Sequence, residues 1–96
     1  MEQLLLLAIR ERRLIEFTLH GLRRVGEPHI LGIRRGVHQL LVYQTHGQSK
    51  SGRLPNWRTA DLTRMTHLRV LEQRFSSPRL TADQESGWEQ VFASVT

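Results

Sequence analysis

Hydrophobic and polar residues change their spacing twice along the chain, and these changes divide it into three parts. Strong helix formers without glycine or proline occupy residues 2–12, which predicts an N-terminal helix. Over residues 14–72 apolar and polar positions alternate in short runs separated by turn residues, which is typical of β-strands. After a break at residues 76–79, Thr81 and Gln84 have the spacing of a capping box. The apolar stripe that follows has helical spacing and predicts a closing amphipathic helix, with Trp88, Val91, Phe92 and Val95 on one face.

The alternating part of the chain predicts five strands, over residues 14–19, 22–33, 37–45, 57–65 and 66–72. Pro28 has no N–H to donate to a neighbouring strand, so we expect an edge or a bulge at this point of the second strand. No crossover helix separates any two strands, which favours antiparallel pairing. Apolar residues on both faces of the third strand indicate a central strand that is covered twice. The predicted fold class is mainly β: a small five-stranded antiparallel barrel with one helix at each end.

A chain of 96 residues can build one hydrophobic core. We predict a barrel domain with its N-terminal helix over residues 1–75, and a linker with the C-terminal helix over residues 76–96. The apolar residues at positions 4–9 are too many for one helical stripe. They indicate either a helix sunk into the barrel mouth or a contact between subunits. Because so small a domain has little surface on which to bury both this helix and the C-terminal stripe, we expect a homo-oligomer.

The charge of the protein is strongly positive, with a net charge of +5 and 14 basic residues, of which only Lys50 is not an arginine. Arginine suits planar, bidentate contact with phosphate or carboxylate, although a genome rich in G and C enriches arginine without any functional reason. Three acids lie in the last 16 residues, which leaves the body of the chain more basic than the total suggests. That body should attract polyanions.

One loop concentrates the chemistry that an anion needs. Residues 46–56 combine cations, hydroxyls and glycines, and an aromatic residue follows them. Such a loop buries little and is suited to binding rather than to building a core. The candidate ligand-binding residues are Tyr43, His46, Ser49, Lys50, Ser51, Arg53, Trp57, Arg58 and Arg64.

Catalysis and metal binding have little support in the sequence. The five histidines fall on different predicted elements, at turn or surface positions, and there is no cysteine. No acid is placed to orient His46 as a base for Ser49, and the loop lacks the order of a Walker A motif. We therefore predict no catalytic residue, no metal site and no cofactor. The acidic start and the short apolar run fit neither a signal peptide nor a membrane span, so we expect a soluble, cytoplasmic protein without a membrane partner.

Several segments occur in the order found in the WYL domain family, and the chain resembles such a domain over residues 4–75. The matching segments are Leu7-Ala8-Ile9, Leu14-Ile15-Glu16-Phe17, Arg24-Val25-Gly26-Glu27-Pro28, Gly36 before a strand, Trp57-Arg58, Leu62, Arg64-Met65 and Phe75. The family's naming triplet falls on His38-Gln39-Leu40, so only its leucine matches. The resemblance implies an Sm-like or SH3-like barrel in a bacterial regulator of transcription. The family is thought to sense nucleotides or single-stranded nucleic acid, although this chain lacks the helix-turn-helix that usually accompanies the domain.

Two functions remain open from the sequence. In the first, Arg58 and Arg64 share a strand face beneath the loop and contact phosphates, while Trp57 or Tyr43 stacks on a base. The protein is then a regulatory module that binds a nucleotide or single-stranded nucleic acid. In the second, the barrel is an interaction or assembly domain. Its arginines then form ion pairs with acids such as Asp61 and Glu72, or with the acidic last helix of a neighbouring subunit.

Overall fold

A computed structural model of the protein describes residues 1–50 and 52–96. The elements follow the order α1 (Glu2–Glu11), β1 (Arg13–Leu19), β2 (Leu22–Arg34), β3 (Val37–Gly47), β4 (Asn56–Asp61), a 3-10 turn (Leu62–Arg64), β5 (Met65–Arg74), α2 (Ala82–Glu85) and β6 (Gln90–Ser94). The chain is therefore mainly β, as predicted. Within the described part of the chain, neither helix is long and apolar enough to cross a membrane.

In the described residues the strands form one antiparallel sheet of six strands rather than the predicted five. Its order is β4-β3-β2-β1-β5, and β6 pairs with β2 beside this path. Every pairing is antiparallel, which confirms the expected sense of the sheet. The pairings do not show closure into a barrel, so the Sm-like or SH3-like barrel stays a prediction.

Two tight hairpin turns connect the first three strands. His20 and Gly21 have φ values of 52° and 72°, and Arg35 and Gly36 have φ values of 53° and 74°. Two successive residues with positive φ match the right-handed twist of the flanking strands, and glycine adopts this conformation without a steric penalty. Both turns lie where the sequence predicted them.

The long strand β2 changes its neighbour at Pro28. The segment up to Gly26 pairs with β1, and the segment from Ile30 pairs with β6. The register against β3 shifts between Pro28 and Ile30, which confirms the predicted bulge. Pro28 thus lies where its missing N–H costs the sheet least.

The hydrophobic core lies between α1 and the inner face of the sheet. Leu5, Ala8 and Ile9 of α1 are buried in it. In β3 the consecutive residues 40–42 are all buried, which confirms that this central strand is covered on both faces. Leu4 keeps 44% of its surface exposed, so α1 does not bury all of its leucines within the chain.

The predicted C-terminal amphipathic helix is wrong. The capping box of Thr81 and Gln84 is present, but the helix it begins is only Ala82–Glu85, and Gly87 follows with a φ of 83°. The apolar residues beyond it form β6, which pairs with β2 along Ile30–Ile33. Because β1 leaves this stretch of β2 unpaired, the backbone groups there gain more from a strand partner than a short isolated helix could offer.

Candidate anion-binding site

Three neighbouring strands each turn one polar side chain towards the inside of the sheet. Directly opposed residues in an antiparallel pair share a face. Arg24 of β2 is paired with Phe17, and Arg58 of β4 is paired with Val42, and both partners belong to the core. Gln44 of β3 lies with them and is fully buried. An otherwise apolar interior therefore has a polar end, next to the turn between β1 and β2.

Arg24 is a buried cation that has no carboxylate partner in the part of the chain that the structure describes. Only 4% of its surface is exposed, and its Nη1 and Nη2 donate to Gln44 Oε1 and to Leu19 O, each at 3.3 Å. Its Nε is buried without a hydrogen-bond partner among residues 1–50 and 52–96. No ion pair within these residues includes it. Burial lowers the pKa of Arg24, and the nearby charge of Arg58 lowers it further.

A cavity of about 210 Å³ opens beside Arg24 and Arg58, and we call it the anion cavity. Of the described residues, its lining consists of Leu19, His20, Arg24, Ser49, Lys50, Arg58 and Thr59, and none of these is an acid. Three of the seven carry a permanent positive charge. An oxyanion that entered the cavity would meet guanidinium and ammonium donors with no competing carboxylate.

The loop after β3 is held over Arg24 by its first residues. The Gln48 N–H donates to Arg23 O at 2.8 Å, and Gln44 Nε2 donates to Gln48 O at 2.9 Å. Arg58 Nη2 in turn donates to Ser49 Oγ. These hydrogen bonds connect the start of the loop to β2, β3 and β4 at the anion cavity.

The structure brings together three of the predicted site residues, Ser49, Lys50 and Arg58. Ser51 lies outside the described residues. His46 and Arg53 are exposed and do not line the anion cavity. Ser49 and Lys50, in the part of the loop nearest β3, therefore lie beside Arg58, and their role in binding stays a prediction.

Arg64 does not lie where the sequence predicted it. The strand expected to continue to Met65 ends at Asp61, and Arg64 belongs to the following 3-10 turn, so it shares no strand face with Arg58. Its side chain is 65% exposed, and its Nε lies 3.8 Å from Asp61 Oδ2. Half-buried Leu62 packs against the core in this turn, and the chain then changes direction to begin β5.

Tyr43 and Trp57 face away from the anion cavity. They pair with each other, directly beside the pair of Val42 and Arg58, and successive residues of a strand point to opposite faces. The two rings lie 5.1 Å apart, Trp57 also contacts His29 at 4.9 Å, and the guanidinium of Arg79 lies 4.6 Å from the Tyr43 ring. Both aromatics are therefore packed within the chain, and neither stands beside Arg58 to stack on a base.

Sequence reasoning missed Arg24 as a site residue, although a signal was present. In the period-two pattern of β2, Arg24 has the parity of Leu22 and Gly26, and a charge at such an inward position needs an explanation. His20 was also missed, because its place at the turn gave no hint that the turn borders a cavity.

A second buried polar group has a structural explanation. Glu27 is 5% exposed, and Arg79 donates to it from Nε at 2.7 Å and from Nη2 at 3.3 Å, which raises the pKa of Arg79. His29 was expected at a turn or on the surface, but it is fully buried. Its Nδ1 lies 2.8 Å from Glu27 O, and its Nε2 accepts the Arg79 N–H at 3.1 Å. Burial lowers the pKa of His29, and the whole network fastens the segment after β5 to the sheet.

The described residues hold no group of three or more side chains suited to a metal ion. The chain matches no protein-family model, and comparisons with curated proteins and with solved structures give no significant match. The resemblance to WYL domains therefore stays a hypothesis based on the order of short segments.

Proposed function

We propose that this protein is a regulatory module that binds a phosphate-bearing ligand, a nucleotide or single-stranded nucleic acid, in the anion cavity. The observation that supports this proposal most strongly is Arg24, a buried guanidinium without a carboxylate partner in the described chain. A buried charge that no opposite charge offsets is costly to the fold, and such residues persist mostly at functional sites.

The second arginine strengthens this interpretation. Arg58 and Arg24 lie close enough for repulsion to lower the pKa of Arg24, and both line a cavity whose described lining residues include no acid. A bound oxyanion offsets both charges, and each charged hydrogen bond contributes about 1.5–3 kcal/mol. The net charge of +5 favours the approach of such a ligand.

Titration with single-stranded DNA and with a nucleoside monophosphate, at two salt concentrations, tests the proposal. We expect salt-dependent binding to the wild type and a loss of about tenfold or more in Arg58→Gln, since one charged hydrogen bond of 1.5–3 kcal/mol corresponds to about that factor. Arg64→Gln is the matched control, because it removes the same charge from a side chain that does not line the cavity. Absence of binding to the wild type at low salt, or equal losses in the two variants, would contradict the proposal.

A second candidate is an assembly domain with structural arginines. Several arginines pair with acids inside the chain, among them Arg79 with Glu27, and Arg23 and Arg69 with Glu16. Five large apolar side chains among the described residues are exposed, which supports a contact between subunits: Met1, Leu4, Val37, Val91 and Phe92.

We expect a homo-oligomer in solution under either function. Light scattering at high protein concentration measures this directly, and Phe92→Ser should shift the mass towards that of one chain if β6 contributes to the contact. A monomer mass for the wild type over the whole concentration range would rule the oligomer out.

A further inference from the structure

A second basic cavity lies on the other side of β4. Its volume is about 450 Å³, and the described residues that line it are Arg34, Arg35, Gln39, Thr59, Ser86 and Gly87. None of these is an acid, so this second cavity, like the anion cavity, presents positive charge without an acidic neighbour in its lining.

The two cavities share one wall. Thr59 lines both of them, and its neighbour Arg58 points to the inner face of the sheet. Since successive side chains of a strand point to opposite faces, the cavities lie on the two sides of β4, which is an edge strand of the sheet. The two cavities are therefore neighbours at Thr59 of this edge strand.

The Arg34 side chain that lines the second cavity is held in place by two contacts. Arg34 Nη2 donates to Ser86 O at 2.9 Å, and its guanidinium lies 4.8 Å from the centre of the Trp88 ring. These two contacts fix the plane of the guanidinium, which reduces the entropy that binding would cost. Gly87 provides the positive φ that carries the chain past Arg34.

Two acids near the second cavity, Glu89 and Asp61, already have partners. Glu89 Oε1 accepts the Gly36 N–H at 2.8 Å. Gln39 Nε2 donates to Asp61 Oδ1 at 2.8 Å, and Arg64 lies on the other oxygen of the same carboxylate. No ion pair in the described part of the chain joins either acid to Arg34 or Arg35. The positive charge of the second cavity remains available to a ligand.

We propose that the two cavities are halves of one site, which binds a molecule with two phosphoryl groups joined by a linker that crosses β4 at Thr59. This inference rests on the proposed function, because one phosphoryl group occupies the anion cavity. The other lies between Arg34 and Arg35. A single phosphate can offset the charge of one cavity only, so the ligand that matches the whole surface carries two.

Titration with thymidine 5′-monophosphate, thymidine 3′,5′-bisphosphate and propane-1,3-diyl bisphosphate tests this inference. We expect thymidine 3′,5′-bisphosphate to bind the wild type about tenfold or more tightly than the monophosphate. Arg35→Asn should reduce this advantage to less than about threefold. Asparagine tolerates the positive φ of 53° at this turn, so the variant is expected to fold. Arg10→Gln removes the same charge from an exposed residue of α1 and should retain the advantage.

The outcomes separate this inference from the proposed function. If the wild type binds the mono- and bisphosphates with equal affinity and Arg58→Gln loses monophosphate binding, the two-part site is wrong. The proposal that the anion cavity binds a phosphate is then retained. Binding of no phosphate at all overturns both. An advantage confined to the thymidine bisphosphate supports the two-part site with a nucleotide as its ligand. An advantage shared by the propane bisphosphate supports it with bisphosphates in general.

Discussion

At the scale of single residues, two arginines with buried contacts differ in their partners. Arg79 meets a buried carboxylate, Glu27, and the pair has an evident structural role. Arg24 is more deeply buried, yet among residues 1–50 and 52–96 it donates only to a carbonyl and an amide oxygen. A protein that needed Arg24 only for stability would gain by replacing it with an apolar residue, because burial of an unpaired charge is unfavourable. The contrast between the two arginines is the reason to connect Arg24 with a ligand.

His29 makes stability depend on pH. Burial among the rings of Trp57 and Phe75 lowers its pKa below the ordinary value of 6.5, against weaker opposing effects of Glu27, while the charge of Arg79 lowers it further. As the pH drops through about 6.5, His29 takes up a proton in the unfolded state but not yet in the folded state. The free energy of unfolding therefore falls over this range. The loss ends below the lowered pKa of the folded state.

Urea unfolding at pH 7.5 and pH 5.5 measures this effect. We expect the wild type to lose more free energy of unfolding between these pH values than His29→Gln, which cannot take up the proton. An identical pH dependence in the two proteins would show that His29 does not titrate with unfolding.

At the scale of elements, local sequence signals were sufficient where neighbours along the chain determine the structure. Helix α1, the first three strands and their two turns lie close to their predicted positions, because helix formers, alternation and glycine act locally. The end of the chain is different. Its apolar residues have helical spacing, but they form a strand because they pair with the open edge of β2, which is far away in the sequence. Spacing alone carries no information about such an edge.

The site shows the same division. The loop composition was enough to place Ser49 and Lys50 beside Arg58. The positions of Arg64 and Trp57 depend on where β4 ends and on its register with β3, and neither is encoded in residue type. Arg24 could have been found by applying the rule of alternation to β2.

Gly32 controls the docking of β6. A Cβ atom at this position would lie 2.2 Å from Gln90 O and 3.1 Å from the Trp88 ring, so Gly32→Ala forces β6 away from β2. We expect a loss of about 1–3 kcal/mol in the free energy of unfolding, as for other overpacked sites. Faster amide exchange in β6 should accompany it. The control is Gly36→Asn, since a Cβ atom there meets nothing within 4 Å and asparagine accepts its φ of 74°. Equal stability and equal exchange in the two variants would contradict this role of Gly32.

At the scale of the whole molecule, one antiparallel sheet has an apolar end and a basic end. Helix α1 closes the side where β1 begins, and the anion cavity opens where β1 ends at Leu19. The apolar end supplies the core that a small domain needs, and we assign the basic end to ligand binding rather than to stability. The central claim is that Arg24 serves a ligand at the cost of stability.

Thermal unfolding of the wild type and of Arg24→Met, each with and without thymidine 5′-monophosphate, tests this claim most directly. Thymidine at equal ionic strength is the control. We expect Arg24→Met to be as stable as the wild type or more stable by about 1 kcal/mol, because methionine removes a buried charge. The monophosphate should raise the midpoint of the wild type by several degrees and leave the variant unchanged, since only a folded state that binds the ligand is stabilised by it. A variant that is clearly less stable, or a midpoint that the ligand raises equally in both proteins or in neither, would contradict the claim and identify Arg24 as a structural residue.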